Sequence, residues 1–166
     1  MRRKSALLST IGLIVALLAW RLLTGLAPIM PAATEAQRLG IAAAALLPGV
    51  CVLILMIVVQ MGARGAAEAI DPTAGAETRF LLVNQRVITN TIEQLAVFMP
   101  ALLALAARTD PAGMAGVAAL GGTFALARLL FWAGYLRAPL FRAPGMAATM
   151  GVTVATLVAA CGAWVL

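Results

Sequence analysis

Arg86, Asn90 and Glu93 follow one another at spacings of four and three, and Arg79 precedes Arg86 by seven. At about 100° per residue these side chains fall on one helical stripe about 60° wide. Such a pattern can hold a small zwitterion. Arg86 offers a bidentate fork for a carboxylate, Asn90 a neutral donor and acceptor, and Glu93 an acceptor for an ammonium. All of them lie in RFLLVNQRVITNTIEQLAVFMPALLALAA, Arg79 to Ala107, an apolar segment long enough to cross a bilayer. Charged groups in hydrocarbon normally face a bundle interior or a polar cavity. A plainer reading competes: Arg86 and Glu93 neutralise partners between helices, and Asn90 serves as interhelical glue.

A second polar group closes the next apolar run, in ALARLLFWAGYLRAPLFRAPG. Arg128 and Tyr135 are seven apart and share a helical face. Arg128 lies inside the run and needs a carboxylate or carbonyls. Glu93 is the only acid within the spans, so a structural ion pair of Arg128 with Glu93 is expected. Tyr135 also suits an interfacial aromatic belt, and Arg137 and Arg142 suit basic anchors in an interfacial turn.

The elements that must position these groups are membrane helices. The chain of 166 residues is 63% hydrophobic and only 11% charged, with a mean hydropathy of +1.03. A soluble domain carries about 25% charge. Five apolar runs are long enough to span: Ser5 to Leu26, Leu39 to Met61, Arg79 to Ala107, Ala112 to Tyr135 and Ala143 to Leu166. Pro28 and Pro31, Asp71-Pro72, Asp110-Pro111, and Pro139 with Pro144 separate them. The tight Thr109-Asp110-Pro111 turn makes the third and fourth runs antiparallel neighbours. Gly62 to Thr78 is the one sizeable loop. A cleaved signal peptide is the alternative for the first run, although PIMPAATEA makes a poor cleavage site.

The net charge of +6 does not indicate nucleic acid, because the arginines are scattered at segment ends rather than gathered in a patch. Arg2, Arg3, Lys4, Arg64, Arg79, Arg137 and Arg142 all fall on one side of a five-span chain, which predicts a cytoplasmic N-terminus and an outer C-terminus. There is no histidine, hence no His-based acid–base or metal site. Cys51 and Cys161 lie in apolar runs and read as packed thiols rather than a disulfide.

Two blocks carry a family resemblance. NQRVITNTIEQLAVFMP is similar to the Arg-x-x-x-Asn-x-x-Glu stretch of the MAPEG family, the membrane-associated proteins of eicosanoid and glutathione metabolism. ARLLFWAGYLRAPLFRAPG resembles the same family's arginine, aromatic run ending Gly-Tyr, and later arginine. The resemblance covers about Arg38 to Leu166. It implies an all-α integral membrane fold: a left-handed four-helix bundle over 38–166, preceded here by an additional transmembrane helix and connector, 1–37. It further implies a homotrimer in a membrane, here a bacterial inner membrane, with glutathione as co-substrate between subunits and no metal. By position, Arg64, Arg86, Asn90, Glu93 and Tyr135 would bind glutathione. Arg142 would stand beside its sulfur as the catalytic residue, and a lipophilic electrophile would arrive from the bilayer. The chain departs from the pattern in its first span and at Phe131, where some members have a second tyrosine. The rival functions are a non-catalytic membrane subunit with the same fold and a small transporter using Glu93.

Overall fold

The computed structural model describes residues 2–28, 32–66 and 77–165. It contains five long helices: α1 Arg2–Leu26, α2 Glu35–Ala66, α3 Arg79–Arg108, α4 Met114–Arg137 and α5 Ala143–Val165. All five are long and apolar enough to cross a membrane. Single 3₁₀ turns, Pro111–Gly113 and Pro139–Arg142, precede α4 and α5. No strand occurs among the described residues. The breakers Pro31 and Asp71-Pro72, and most of the expected loop, lie outside them.

Helix α2 overruns its apolar window at both ends, and local chemistry explains where α2 and α3 start. At the start of α2, the Thr34 amide donates to Gln37 Oε1 at 3.1 Å, and the Gln37 amide donates to Thr34 Oγ1 at 3.2 Å. This reciprocal capping box satisfies two orphan donors and starts the helix before Leu39. At α3, Thr78 Oγ1 accepts from the Leu81 amide at 3.3 Å. Pro48 and Pro100 sit inside α2 and α3 without ending them. Neighbouring helices let a membrane helix tolerate a proline.

Helices α2 to α5 form a bundle in which α2 packs on α3 and α4, and α5 packs on α3 and α4. Helix α1 lies outside it, against α5 and α4. Phe98 and Phe124 stack at the centre, their ring centroids 4.5 Å apart. A buried polar chain links three helices. Gln60 donates to the Leu81 carbonyl at 3.2 Å, Asn84 donates to Gln60 Oε1 at 2.8 Å, and Trp132 Nε1 donates to Asn84 Oδ1 at 2.6 Å. Buried away from water, these groups are satisfied by one another and by backbone carbonyls, so the chain fixes the register of α2, α3 and α4. Leu7, Leu18 and Leu22 of α1 and Ile54, Leu55 and Val58 of α2 point outward. That suits a surface whose solvent is lipid. Cys51 and Cys161 are free thiols, and both face outward instead of packing inside as expected.

Candidate functional site

The turn between α4 and α5 is built to return Arg142 to the bundle. Gly134 sits one residue before Tyr135, and the Phe141 carbonyl packs where a Cβ of residue 134 would stand. Only glycine permits that approach. The Phe141 amide donates to the Ala138 carbonyl at 3.0 Å, which closes the turn. Arg142 is thereby folded back over α4, with its guanidinium carbon 4.9 Å from the Tyr135 ring centroid. Arg137 points elsewhere, with its guanidinium 5.9 Å from the Phe141 ring.

Arg142 opens onto a cleft of about 640 Å³. Arg86 and Asn90 of α3 form one wall, and Phe131 and Tyr135 of α4 form the floor. Met146 and Met150 of α5 form the apolar side, and Ser5 and Ser9 of α1 complete the rim. The volume falls within the usual range for a small-molecule site, about 300–1,000 Å³. Four of the residues singled out from sequence, Arg86, Asn90, Tyr135 and Arg142, therefore line a single cavity.

Glu93 stands next to this group. Its Oε2 accepts from Asn90 Nδ2 at 3.3 Å, and its side chain is exposed. Arg86 is exposed too. Arg64 is not among the cleft residues. It donates to Glu77 Oε1 at 2.9 Å, the one salt bridge among the described residues. That pairing joins the ends of α2 and α3 across the loop, and Glu77 was not anticipated as its partner.

Arg128 differs from expectation. Its side chain is fully buried, but it meets neutral oxygens rather than the Glu93 carboxylate. Nε and Nη2 donate to Thr91 Oγ1 at 3.1 and 2.7 Å, and Nη1 donates to Asn90 Oδ1 at 3.1 Å. The guanidinium also lies 4.2 Å from the Phe131 ring centroid. Thr91 in turn donates to the Val87 carbonyl at 2.7 Å. The reason is helical geometry: Glu93 is on the outward stripe, whereas Thr91 faces α4. Asn90 lies between the two, accepting from Arg128 and donating to Glu93. This fixes which way its amide points. Thr91, which holds Arg128, and the cleft residues Ser5, Ser9, Met146 and Met150 were not foreseen from sequence. Thr91 could have been found as a hydroxyl two residues from Glu93 on the inward face. Nothing in the pattern placed α1 beside the site.

A cleft walled by four membrane-length helices, with arginine, asparagine and tyrosine side chains lining it, marks the chain as an integral membrane protein with polar groups gathered on one cavity. The model of the MAPEG family matches residues 38–162, which take in α2 to α5 up to the last turns and leave out α1. The chain belongs to the MAPEG family, and so to the membrane proteins of glutathione and eicosanoid metabolism. No curated protein matches the chain.

Proposed function

We propose that the protein is a membrane-bound glutathione transferase or peroxidase that acts on lipophilic electrophiles. The observation that carries this reading is the convergence of Arg86, Asn90, Tyr135 and Arg142 on one cleft of ligand size. Family membership supports glutathione as the thiol. Arg86 takes a carboxylate of the peptide, and Glu93, held by Asn90, takes its ammonium. Arg142 stands by the sulfur. A thiol of pKa about 8.5 is mostly protonated near neutral pH, and an adjacent guanidinium favours the nucleophilic thiolate. Tyr135 packs its ring against Arg142 and keeps the guanidinium aimed at the cleft.

The working unit is a homotrimer. In a single chain Arg86 and Glu93 are exposed on α3. Glu93 is fourteen residues past Arg79, about 21 Å along the helix axis and well inside the hydrocarbon. A charge there costs about 2.5–3.5 kcal/mol on insertion scales. Neither residue joins an ion pair among the described residues. A neighbouring copy covering this face removes the penalty and closes the cleft. The helix positions and basic residues favour a cytoplasmic N-terminus, which puts the cleft on the cytoplasmic side. Residues 1–37 add a membrane helix, α1, and a connector to a MAPEG domain over 38–166.

Thermal unfolding of the detergent-solubilised protein tests the reading. Glutathione at one hundred times its Kd stabilises a one-site protein by about 2.7 kcal/mol. A rise in Tm with glutathione, together with conjugation of a lipophilic electrophile, supports the transferase. A rise without conjugation points to a non-catalytic subunit. No rise with any thiol, and a pH-dependent flux in liposomes, points to a transporter.

A further inference from the structure

Helix α1 lies outside the family match, yet it reaches the cleft. Ser5 and Ser9 are one turn apart on one face and both line it. The helix is docked rather than loosely apposed. At Gly12 its backbone meets the Pro144 carbonyl where any side chain would collide, and Trp20 Nε1 donates to the Gly116 carbonyl at 3.0 Å. The other hydroxyls of α1 are spent on the helix itself: Thr10 donates to the Ala6 carbonyl at 3.1 Å and Thr24 to the Trp20 carbonyl at 2.7 Å. Ser9 makes no such bond among the described residues, so its hydroxyl is free to donate into the cleft.

The position of this wall decides which substrate it meets. The groups suited to the charged ends of the peptide thiol are on α3. Helix α1 packs instead on α4 and α5, which bring Phe131, Tyr135, Met146 and Met150 to the cleft and flank the turn that carries Arg142. The hydroxyls of α1 therefore flank the side where the sulfur meets its electrophile. We propose that Ser9, assisted by Ser5, is a specificity-determining residue that donates a hydrogen bond to an oxygen of the electrophile and favours conjugated carbonyl compounds over simple alkylating agents. This rests on the transferase reading. In the step concerned, the thiolate sulfur bonds to the β-carbon of an enal, and the π electrons move to the carbonyl oxygen. Ser9 donates to that oxygen as its charge grows. Water then supplies the proton that completes the saturated aldehyde thioether. Met146 and Met150 flank the apolar chain of the electrophile.

The test compares two electrophiles of equal chain length in the full-length protein: 2-nonenal, which has an acceptor oxygen, and 1-iodononane, which has none. Ser9→Ala should lower kcat/KM for the enal by about threefold to tenfold, the equivalent of one hydrogen bond. The iodoalkane rate and the Kd for glutathione should stay unchanged. Ser9→Thr, which keeps the hydroxyl, should restore the enal rate. Thr10→Ala, on the same turn but bonded within α1, should leave both rates alone. Equal losses for both electrophiles, or no loss for either, overturn the role of Ser9 while leaving the transferase standing. A wild-type protein that conjugates neither refutes the transferase reading, and this inference with it.

Discussion

Thr91→Val keeps the shape of the side chain and removes the acceptor of two Arg128 hydrogen bonds, at 3.1 and 2.7 Å. The guanidinium is fully buried. It keeps Asn90 Oδ1 at 3.1 Å and the Phe131 ring at 4.2 Å. A hydrogen bond to a charged group contributes about 1.5–3 kcal/mol, and stranding a buried charge costs about 3–5 kcal/mol. Because Asn90 and Phe131 still hold the guanidinium, we take the lower part of that range, about 3–4 kcal/mol. For a chain of this size each kcal/mol lowers Tm by about 2–4 °C, so Thr91→Val should unfold about 6–16 °C earlier. The assay is tryptophan fluorescence of the detergent-solubilised protein at a fixed scan rate. The double variant Thr91→Val with Arg128→Met removes both partners and should recover most of the loss, because no stranded charge remains. A fall of less than about 2 °C in the single variant, or a double variant no better than the single, would refute the view that Thr91 satisfies Arg128.

Glu93→Gln removes the acceptor for an ammonium and should weaken glutathione binding roughly tenfold or more by isothermal titration; unaltered affinity contradicts its assigned role. A cysteine placed at the C-terminus, with Cys51 and Cys161 replaced by alanine, should react with an impermeant maleimide added outside intact cells. Reaction only after lysis reverses the proposed topology. Native mass spectrometry in mild detergent should show a trimer, and Arg86→Leu should leave it assembled but unable to bind glutathione. A wild-type protein that is only monomeric argues against an intersubunit site.

The spans were legible because apolar length is the strongest signal a membrane chain carries, and all five runs became helices. The stripe of α3 was legible because helical periodicity alone puts Arg86, Asn90 and Glu93 on one face. The second block was legible through Tyr135 and Arg142, which the turn after Gly134 folds together. What escaped was pairing. From sequence, Arg128 and Glu93 were the obvious opposite charges, yet a difference of two residues along α3 turns Thr91 toward α4 and Glu93 away from it. The Glu77 partner of Arg64, at 2.9 Å, was not foreseen either. The Gln60–Asn84–Trp132 chain was also missed, since three isolated polar residues on three helices have no shared period. The Thr34–Gln37 capping box was readable in principle and places the start of α2 at Glu35. Nothing in one dimension could bring Ser5 and Ser9 to Arg142. Their meeting depends on how α1 crosses α5 at Gly12.

The central claim is that Arg142 holds a bound thiol as thiolate, and the ultraviolet absorbance of that thiolate tests it most directly. Glutathione bound to the wild-type protein should titrate well below the usual thiol pKa of about 8.5. Arg142→Ala should return the titration toward that value while glutathione still binds. Arg137→Ala is the control, because its side chain lies against Phe141 outside the cleft, and it should titrate like the wild type. Identical thiolate titrations in the Arg142→Ala and Arg137→Ala proteins would contradict the account.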